Sequence, residues 1–311
     1  MNKLTIIIPC YNEEEAIPYF YREILKIQND LRDLELDFLF IDDGSLDRTL
    51  DVLKGLRGND TRVHYISLSR NFGKEAAIYA GLQNATGDYI VTMDVDLQDP
   101  PSLLPEMYKI VSEEGYDCAA TCRTTRKGEP PIRSFLAKKF YKIMNKISKT
   151  DIVDGARDYR FMNRQMVNAI LMMSEYNRFL KGIYGWVGFK IKWIPFENVE
   201  RIAGKTKWSF WKLFLYSIEG IIAFSTAPLA IASVIGLLFF GISLILLLSI
   251  FVKAALWGDP VAGWPSLVCI ITFLGGIQLF CLGILGLYLS KTYLETKNRP
   301  IYIVKESDSF Y

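Results

Sequence analysis

The sequence predicts an α/β protein with a mostly parallel sheet and flanking helices, followed by a C-terminal hairpin of two transmembrane helices. In the first part of the chain, short apolar runs alternate with segments that carry apolar residues at helical spacing, which is typical of a parallel sheet covered by helices. Near the C-terminus, 33 residues after Glu219 and 31 residues after Asp259 include no charged residue. About 20 apolar residues are enough to cross a bilayer.

The alternation of strands and helices places three polar clusters at strand ends. Strands are predicted at residues 4–8, 36–41, 63–68 and 89–93, and helices at residues 17–31, 49–56, 74–85 and 167–173. The polar clusters follow three of these strands, at residues 9–13, 42–47 and 94–99. Because ligands bind beyond the carboxyl ends of parallel strands, we expect one site formed by these clusters.

The overall charge argues against a nucleic-acid-binding protein. The 311 residues include 36 Lys and Arg against 34 Asp and Glu, a net charge of +2, which gives no large basic surface. The apolar run at residues 4–8 is too short for a signal peptide and no small-residue cleavage site follows it, so we expect the first region to stay in the cytoplasm.

The uncharged stretches divide the chain into membrane and cytoplasmic parts. Basic residues precede the first stretch and follow the second, whereas the short connector has one Lys and one Asp, so both ends are predicted to face the cytoplasm. The alternative interpretation of the two uncharged stretches is that they form a very apolar core of a soluble protein. The predicted parts are a cytoplasmic domain (1–205), an interfacial amphipathic segment (206–228), two transmembrane helices (229–252 and 265–290), an outer loop (253–264) and a cytoplasmic tail (291–311).

Two carboxylates follow the predicted strand at residues 89–93. Asp94 and Asp96 are separated by one residue, and Gln98 adds a carbonyl oxygen nearby. Hard oxygen ligands suit Mg²⁺ or Mn²⁺ held jointly with substrate phosphates. Acidic turns after strands are also common without any metal, so this pair alone leaves both interpretations open.

Four motifs follow one another along the chain: Pro9-Cys10-Tyr11-Asn12-Glu13-Glu14, Asp42-Asp43-Gly44-Ser45-Leu46-Asp47-Arg48-Thr49, Arg70-Asn71-Phe72-Gly73-Lys74-Glu75-Ala76-Ala77 and Asp94-Val95-Asp96-Leu97-Gln98-Asp99-Pro100-Pro101. Together these motifs resemble family 2 glycosyltransferases, and more narrowly the polyprenyl-phosphate glycosyltransferases, a group that includes bactoprenol glucosyltransferases and dolichol-phosphate mannose synthase. The resemblance covers essentially the whole chain and implies a GT-A type, Rossmann-like fold.

The resemblance implies a binding site for a nucleotide-sugar and a divalent cation. The metal ligands would be Asp94, Asp96 and Gln98, with Mg²⁺ or Mn²⁺ as the cofactor. The residues implied to bind the nucleotide-sugar are Pro9, Tyr11, Glu13, Asp43, Lys74, Asp94 and Arg123. An ordinary helix N-terminus at residues 12–15 and an Asx-type turn at residues 42–45 are the structural alternatives, and both are compatible with binding.

The resemblance also implies a catalytic carboxylate and basic groups for the acceptor. Asp158 matches the proposed catalytic aspartate, and we interpret it first as an aligner of the acceptor and second as a general base. Arg201 and Lys207 would bind the acceptor phosphate or the donor diphosphate. Independently of the resemblance, residues 133–149 predict a basic amphipathic helix on the membrane surface, and Arg133 at its start would bind the lipid phosphate. Basic residues next to a membrane helix are also expected from membrane topology alone, and this is the alternative explanation for Arg201 and Lys207.

The implied reaction is the inverting, metal-dependent transfer of a sugar to polyprenyl (undecaprenyl) phosphate at the cytoplasmic face of the cell membrane, for cell-envelope glycosylation. UDP-glucose or UDP-N-acetylglucosamine is the expected donor, with GDP-mannose as the alternative. A processive polysaccharide synthase is disfavoured because the chain lacks a Gln-x-x-Arg-Trp segment, and a non-catalytic scaffold because the acidic and basic site residues are present. Self-association, up to a tetramer, is expected from the relatives and from the glycines of the second predicted helix.

Overall fold

The structure is a computed structural model that describes residues 1–124, 153, 155–197, 221–222, 225–257 and 263–308. The chain forms two compact units. The first contains Met1–Gly220 together with Arg299–Tyr311, and the second contains Ile221–Asn298. We describe each unit by itself.

The first unit is built on a mixed, mostly parallel sheet, as the sequence predicts. The described strands form one eight-stranded sheet in the order β7-β5-β6-β4-β1-β2-β3-β8. Strand β1 pairs in parallel with β2 and β4, whereas β6 runs antiparallel to β4 and β5, and β8 runs antiparallel to β3. The strands are β1 Asn2–Cys10, β2 Leu34–Asp42, β3 Val63–Leu68, β4 Tyr89–Thr92, β5 Cys118–Arg123, β6 Ala156–Asn163, β7 Ile191–Phe196 and β8 Val304–Ser307.

Helices flank this sheet and alternate with its first four strands. The described helices of the first unit are α1 Ala16–Lys26, α2 Thr49–Asn59, α3 Lys74–Asn84, α4 Leu104–Glu113, α5 Arg164–Leu171 and α6 Leu180–Trp186. Two short 3₁₀ turns, Gln28–Leu31 and Pro101–Leu103, complete the described elements of this unit.

The predicted elements of the first half lie within a few residues of the observed ones. Strand β3 has the predicted bounds, but the helix expected over residues 17–31 ends at Lys26 and continues as a 3₁₀ turn. Asn29 and Asp30 lie in that turn, and both residue types compete with helical backbone hydrogen bonds. The helix expected at residues 167–173 begins earlier, at Arg164, because the Asn163 side chain accepts a hydrogen bond from the Met166 N–H.

Helix α3 lies unusually close to the centre of the sheet. It contacts β1 and β2, and its residues from Ala76 to Leu82 are buried. A Cβ atom at Gly81 would lie 2.3 Å from Cγ2 of Ile7, so only glycine allows this approach. The close packing fixes the N-terminus of α3, and therefore Lys74, beside the carboxyl ends of the central strands.

The tail after the second apolar stretch returns to the first unit as β8, which the sequence pattern did not predict. Asp308 accepts a hydrogen bond from the Tyr65 N–H and forms an ion pair with Arg57, and its Oδ2 lies 2.8 Å from Nδ1 of His64. Glu306 pairs with Lys54 at 2.6 Å. Strand β8 therefore covers the edge of β3, which would otherwise present unpaired backbone groups.

The second unit consists of two long helices, α7 Ala227–Trp257 and α8 Trp264–Thr296. They contact each other through the rings of Phe239 and Phe273, whose centroids are 5.4 Å apart, and the Tyr288 hydroxyl donates to the Ser225 carbonyl at 2.6 Å. In the part of the chain that the structure describes, one segment, Phe273–Thr296, is long and apolar enough to cross a membrane, with a mean hydropathy of 1.8.

Candidate functional site

The loops after β1 and β2 are joined side by side at the carboxyl edge of the sheet. The Asn12 N–H donates to Ser45 Oγ at 2.9 Å, and the Leu46 N–H donates back to Asn12 Oδ1 at 2.8 Å. The Glu13 N–H donates to Thr49 Oγ1 at 2.9 Å. Asn12 has φ 54°, a left-handed conformation that asparagine tolerates better than most residues. The first two polar clusters of the sequence therefore form one surface.

Asp43 connects this surface to the loop that precedes α3. Its two carboxylate oxygens accept hydrogen bonds from the Phe72 N–H at 2.7 Å and the Gly73 N–H at 2.9 Å. The side chain is buried, and burial raises the pKa of Asp43 to about 6. Gly44 has φ +66°, and a Cβ there would lie 2.3 Å from the Arg70 carbonyl carbon, so glycine is required for this close approach.

Lys74 bridges two of the predicted site residues. Its ammonium lies 2.7 and 2.9 Å from the two carboxylate oxygens of Asp94, and 2.7 Å from Oδ2 of Asp158. Asp158 reaches this position because β6 runs antiparallel to β4, which places the first residues of β6 at the carboxyl end of β4. The Thr92 hydroxyl donates to the Asp158 carbonyl and fixes the backbone there.

The three charges stabilise one another. Burial opposes the charge on Lys74, but the carboxylates of Asp158 and Asp94 raise the pKa of Lys74 above its ordinary value. Burial likewise opposes the charge on Asp158, yet the Lys74 ammonium, together with Lys181, holds the pKa of this carboxyl well below its usual range. Asp158 is therefore an anion at neutral pH, and Lys74 a cation.

The second carboxylate of the acidic pair lies in a tight turn. Asp96 is buried, and its Oδ1 accepts a hydrogen bond from the Gln98 N–H at 3.1 Å. Between them, Leu97 has φ 55°, which is uncommon for a residue with a branched side chain. The turn returns the chain toward β6, where Arg157 binds it.

Arg157 forms a largely buried ion pair with Asp99. Its Nε donates to Asp99 Oδ1 at 2.9 Å, and its Nη2 lies 3.5 Å from Oε1, the side-chain amide oxygen, of Gln98. Asp99 is fully buried, and burial raises its pKa to about 6 even though the Arg157 guanidinium acts in the opposite direction. Arg157 thus connects the turn after Asp96 to the strand that carries Asp158.

The carboxylates of Asp94 and Asp96 are suitable ligands for a divalent cation that also binds oxygens of a substrate. Among the described residues, no group of three or more His, Cys, Asp or Glu side chains could enclose a metal ion. Asp94 and Asp96 offer two carboxylates, which is how Mg²⁺ is commonly bound when substrate phosphates supply further oxygens.

The remaining predicted residues fall into two groups. Pro9, Tyr11 and Glu13 lie at or after the end of β1, and Arg123 ends β5, where its N–H donates to the Gly155 carbonyl. Arg133, Arg201 and Lys207 lie outside the described residues. The structure therefore brings Asp43, Lys74, Asp94, Asp96, Gln98 and Asp158 to one edge of the sheet.

Sequence reasoning missed Arg157 and Asp99 as a pair. They are separated by 58 residues, and no spacing rule relates them. The only available signal was position: Arg157 directly precedes the predicted catalytic Asp158, and Asp99 directly follows Gln98. Their burial together at the site could not be inferred from those positions.

Replacing Arg157 by Gln is expected to destabilise the protein, because the Asp99 carboxylate would remain buried without a cation. Breaking a buried pair costs about 3 kcal/mol, which corresponds to a fall in melting temperature of roughly 6 to 12 °C. Thermal unfolding of the full chain measures this change. In the matched control, Lys192→Gln, the exposed pair with Glu114 is removed and less than about 1 kcal/mol should be lost. An unchanged melting temperature in R157Q would contradict the role of the pair.

Comparison with known proteins identifies the class to which this fold and site belong. The family model described as Glycosyl transferase family 2 matches residues 5–171, which include the loops and the α3, β4 and β6 residues described above. The chain therefore belongs to glycosyltransferase family 2, and it is a glycosyltransferase.

Its relatives extend over nearly the whole chain. It is 42% identical to the prophage bactoprenol glucosyl transferase homolog of Escherichia coli (strain K12), over 97% of this chain and 98% of that protein. It is 40% identical to the bactoprenol glucosyl transferase of Shigella phage SfII, over 98% of each chain. Among solved structures, it is similar to glucosyl-3-phosphoglycerate synthase from Mycobacterium tuberculosis in complex with Mn²⁺, UDP-glucose and phosphoglyceric acid, with a TM-score of 0.47 and 17% identity over 71% of this chain and 78% of that one.

Proposed function

We propose that this glycosyltransferase transfers a sugar from a nucleotide-sugar to a polyprenyl phosphate at the cytoplasmic face of the cell membrane. The observation that carries the proposal is the cluster of Asp94, Lys74 and Asp158 at the carboxyl edge of the sheet. In this cluster, Asp94 would bind a metal, Lys74 would bind phosphate, and Asp158 would face the acceptor. The relatives' names supply bactoprenol as the acceptor and glucose as the sugar.

The donor is proposed to bind along the joined loops. Pro9, Tyr11, Glu13 and Asp43 would hold the nucleoside, and Asp94, Asp96 and Gln98 would hold Mg²⁺ or Mn²⁺ against the diphosphate. When bound, the cation supplies charge stabilisation for the departing diphosphate. UDP-glucose is our first choice of donor, with UDP-N-acetylglucosamine next and GDP-mannose as the alternative.

The reaction is a single displacement at the sugar. An oxygen of the acceptor phosphate attacks the anomeric carbon, the bond from that carbon to the nucleoside diphosphate breaks, and the electron pair leaves with the diphosphate. A phosphate monoester has a second pKa near 6, so the nucleophile is already largely ionised at pH 7. Asp158 therefore acts mainly by aligning the acceptor or a sugar hydroxyl.

The membrane arrangement is proposed from the order of the elements. The sheet contains β1 to β7 from before the second unit and β8 from after it. A chain that leaves a domain and returns to the same domain must cross a bilayer an even number of times, which supports a hairpin of two spans made by α7 and α8. The basic residues at both ends of the two helices favour a cytoplasmic catalytic domain.

The acceptor-binding and assembly residues stay predictions. We propose that Arg133 binds the lipid phosphate at headgroup depth, and that Arg201 and Lys207 bind the acceptor phosphate or the donor diphosphate. We also propose self-association, up to a tetramer, through α8. Among the described residues, and apart from the backbone of the same helix, no atom lies within 4 Å of a Cβ built at Gly275, Gly276, Gly283 or Gly286, so these positions leave room for a close helix contact.

The test is an assay with defined components. Membranes that contain the full chain are incubated with Mg²⁺, undecaprenyl phosphate and radiolabelled UDP-glucose, and parallel reactions use UDP-N-acetylglucosamine or GDP-mannose. A chloroform-soluble labelled product is expected with UDP-glucose. An insoluble polymer would indicate a processive synthase, and no incorporation from any donor would reject transfer to this lipid.

A further inference from the structure

We propose that Lys74 occupies the cation-binding side of Asp94 until donor and metal arrive together, so that the protein binds its metal poorly in the absence of donor diphosphate. This inference rests on the proposed function, because it concerns the metal of the same site. It adds a role for Lys74 beyond contact with the donor: the residue is an internal competitor of the metal.

At Asp94, an ammonium already occupies the carboxylate that is proposed to bind the metal. The Lys74 ammonium contacts both oxygens of this carboxylate, at 2.7 and 2.9 Å, and so lies between them. Carboxylate oxygens are also the ligands that Mg²⁺ and Mn²⁺ prefer. A cation that approaches Asp94 from this side must displace the ammonium or bind next to a like charge. Either event lowers the affinity of the site for a metal.

Lys74 has a second partner, Asp158, to which its ammonium can stay bound when it leaves Asp94. Its ammonium already contacts Asp158 Oδ2 at 2.7 Å, and 38% of the side chain is exposed to solvent. Lysine has a flexible four-carbon stem, so its ammonium can leave Asp94 while it keeps its contact with Asp158. The backbone at the start of α3 need not move, since Gly73 is held by Asp43.

The negative charge of the donor diphosphate makes this exchange favourable. A nucleoside diphosphate brings negative charge that can neutralise both the metal and the displaced ammonium. Metal and diphosphate should therefore bind cooperatively, and each should raise the affinity of the other by the same factor. In the absence of the diphosphate, the Lys74 ammonium stays bound to both Asp94 and Asp158.

Lys181 provides a matched control for removal of a nearby positive charge. It is close enough to lower the pKa of Asp158, yet among the described residues it forms no ion pair with Asp94 or Asp158. Lys181→Met therefore changes the electrostatic field of the site without vacating Asp94. Lys74→Arg is the second control, because it keeps a cation at the position.

The experiment measures Mn²⁺ binding to the purified full chain by the electron paramagnetic resonance signal of free Mn²⁺, with and without UDP. In the absence of UDP, Lys74→Met is expected to bind Mn²⁺ about tenfold more tightly than the unmodified protein, because a competing charge is removed. Lys181→Met and Lys74→Arg should change the affinity by much less. UDP should tighten Mn²⁺ binding strongly in the unmodified protein and weakly in Lys74→Met.

Equal or weaker Mn²⁺ binding by Lys74→Met without UDP would overturn the proposal. An affinity that does not change in Asp94→Asn would also overturn it, because the cation would then bind elsewhere. Neither result depends on sugar transfer. Failure of the proposed function is recognised separately, by the absence of lipid-linked product from the unmodified protein.

Discussion

Replacing Asp158 by Asn is expected to lower turnover by about three orders of magnitude while donor affinity stays nearly unchanged. Asp158 lies on β6, across the site from the loops after β1 and β2 that are proposed to hold the nucleoside. Loss of its charge should therefore affect the chemical step and not the donor. The measurements are kcat in the lipid-product assay and the dissociation constant of UDP in the presence of Mg²⁺.

The substitution is expected to leave the local structure in place. The side-chain amide oxygen of the asparagine variant can still accept from Lys74, and the backbone carbonyl that accepts from the Thr92 hydroxyl is unaffected. Asp158→Glu is the companion variant, since it keeps the charge but moves it by one methylene group. Low turnover in both variants would indicate that position matters as much as charge, as expected for an aligning residue.

The pH dependence of kcat distinguishes an aligning role of Asp158 from a role as general base. Lys74 holds the pKa of Asp158 well below its usual range, against the effect of burial, so Asp158 is ionised throughout the neutral range and is a weak proton acceptor. The acid limb of kcat should then follow the second ionisation of the acceptor phosphate, near pH 6, and should persist in Asp158→Asn. A limb that vanishes in the variant would identify Asp158 as the base, and a parallel loss of UDP affinity would place it in the nucleotide site.

The part of the fold that could be predicted from sequence is the first half of the sheet, in which strands and helices alternate along the chain. Strands β1 to β4 and helices α1 to α3 follow one another with short connections, and their apolar patterns are clear because the central strands are buried on both faces. The same pattern placed Asp43, Asp94 and Asp96 at strand ends. Their common location then follows from parallel pairing alone.

The rest depends on contacts between distant parts of the chain. No local pattern indicates that β6 runs antiparallel to β4, and it is this direction that brings Asp158 to within 2.7 Å of Lys74, 84 residues away. Strand β8 was missed for a similar reason, because its stability comes from partners such as Arg57 and Tyr65. The apolar pattern of a four-residue edge strand is too short to be distinctive.

Asp96→Ala is expected to abolish transfer and to remove the metal dependence of donor binding. Asp96 lies two residues after Asp94 in the tight turn that follows β4, and we propose that both carboxylates bind one cation that also binds the diphosphate. Loss of a metal that stabilises the leaving diphosphate removes several kcal/mol of transition-state stabilisation, or roughly a thousandfold or more in rate.

Asp96→Asn distinguishes loss of a metal ligand from disruption of the turn. An Asn amide oxygen can still accept the hydrogen bond from the Gln98 N–H, which in the unmodified protein measures 3.1 Å, so the left-handed conformation at Leu97 should be kept. If Asp96 binds the metal, both variants lose turnover, and UDP binding becomes equally weak with and without Mg²⁺. If Asp96→Asn instead keeps normal turnover, or if the unmodified protein works in a chelator, Asp96 supports only the turn. The metal would then have no part in the reaction at this position, and the diphosphate would have to be stabilised by positively charged side chains of the site such as Lys74.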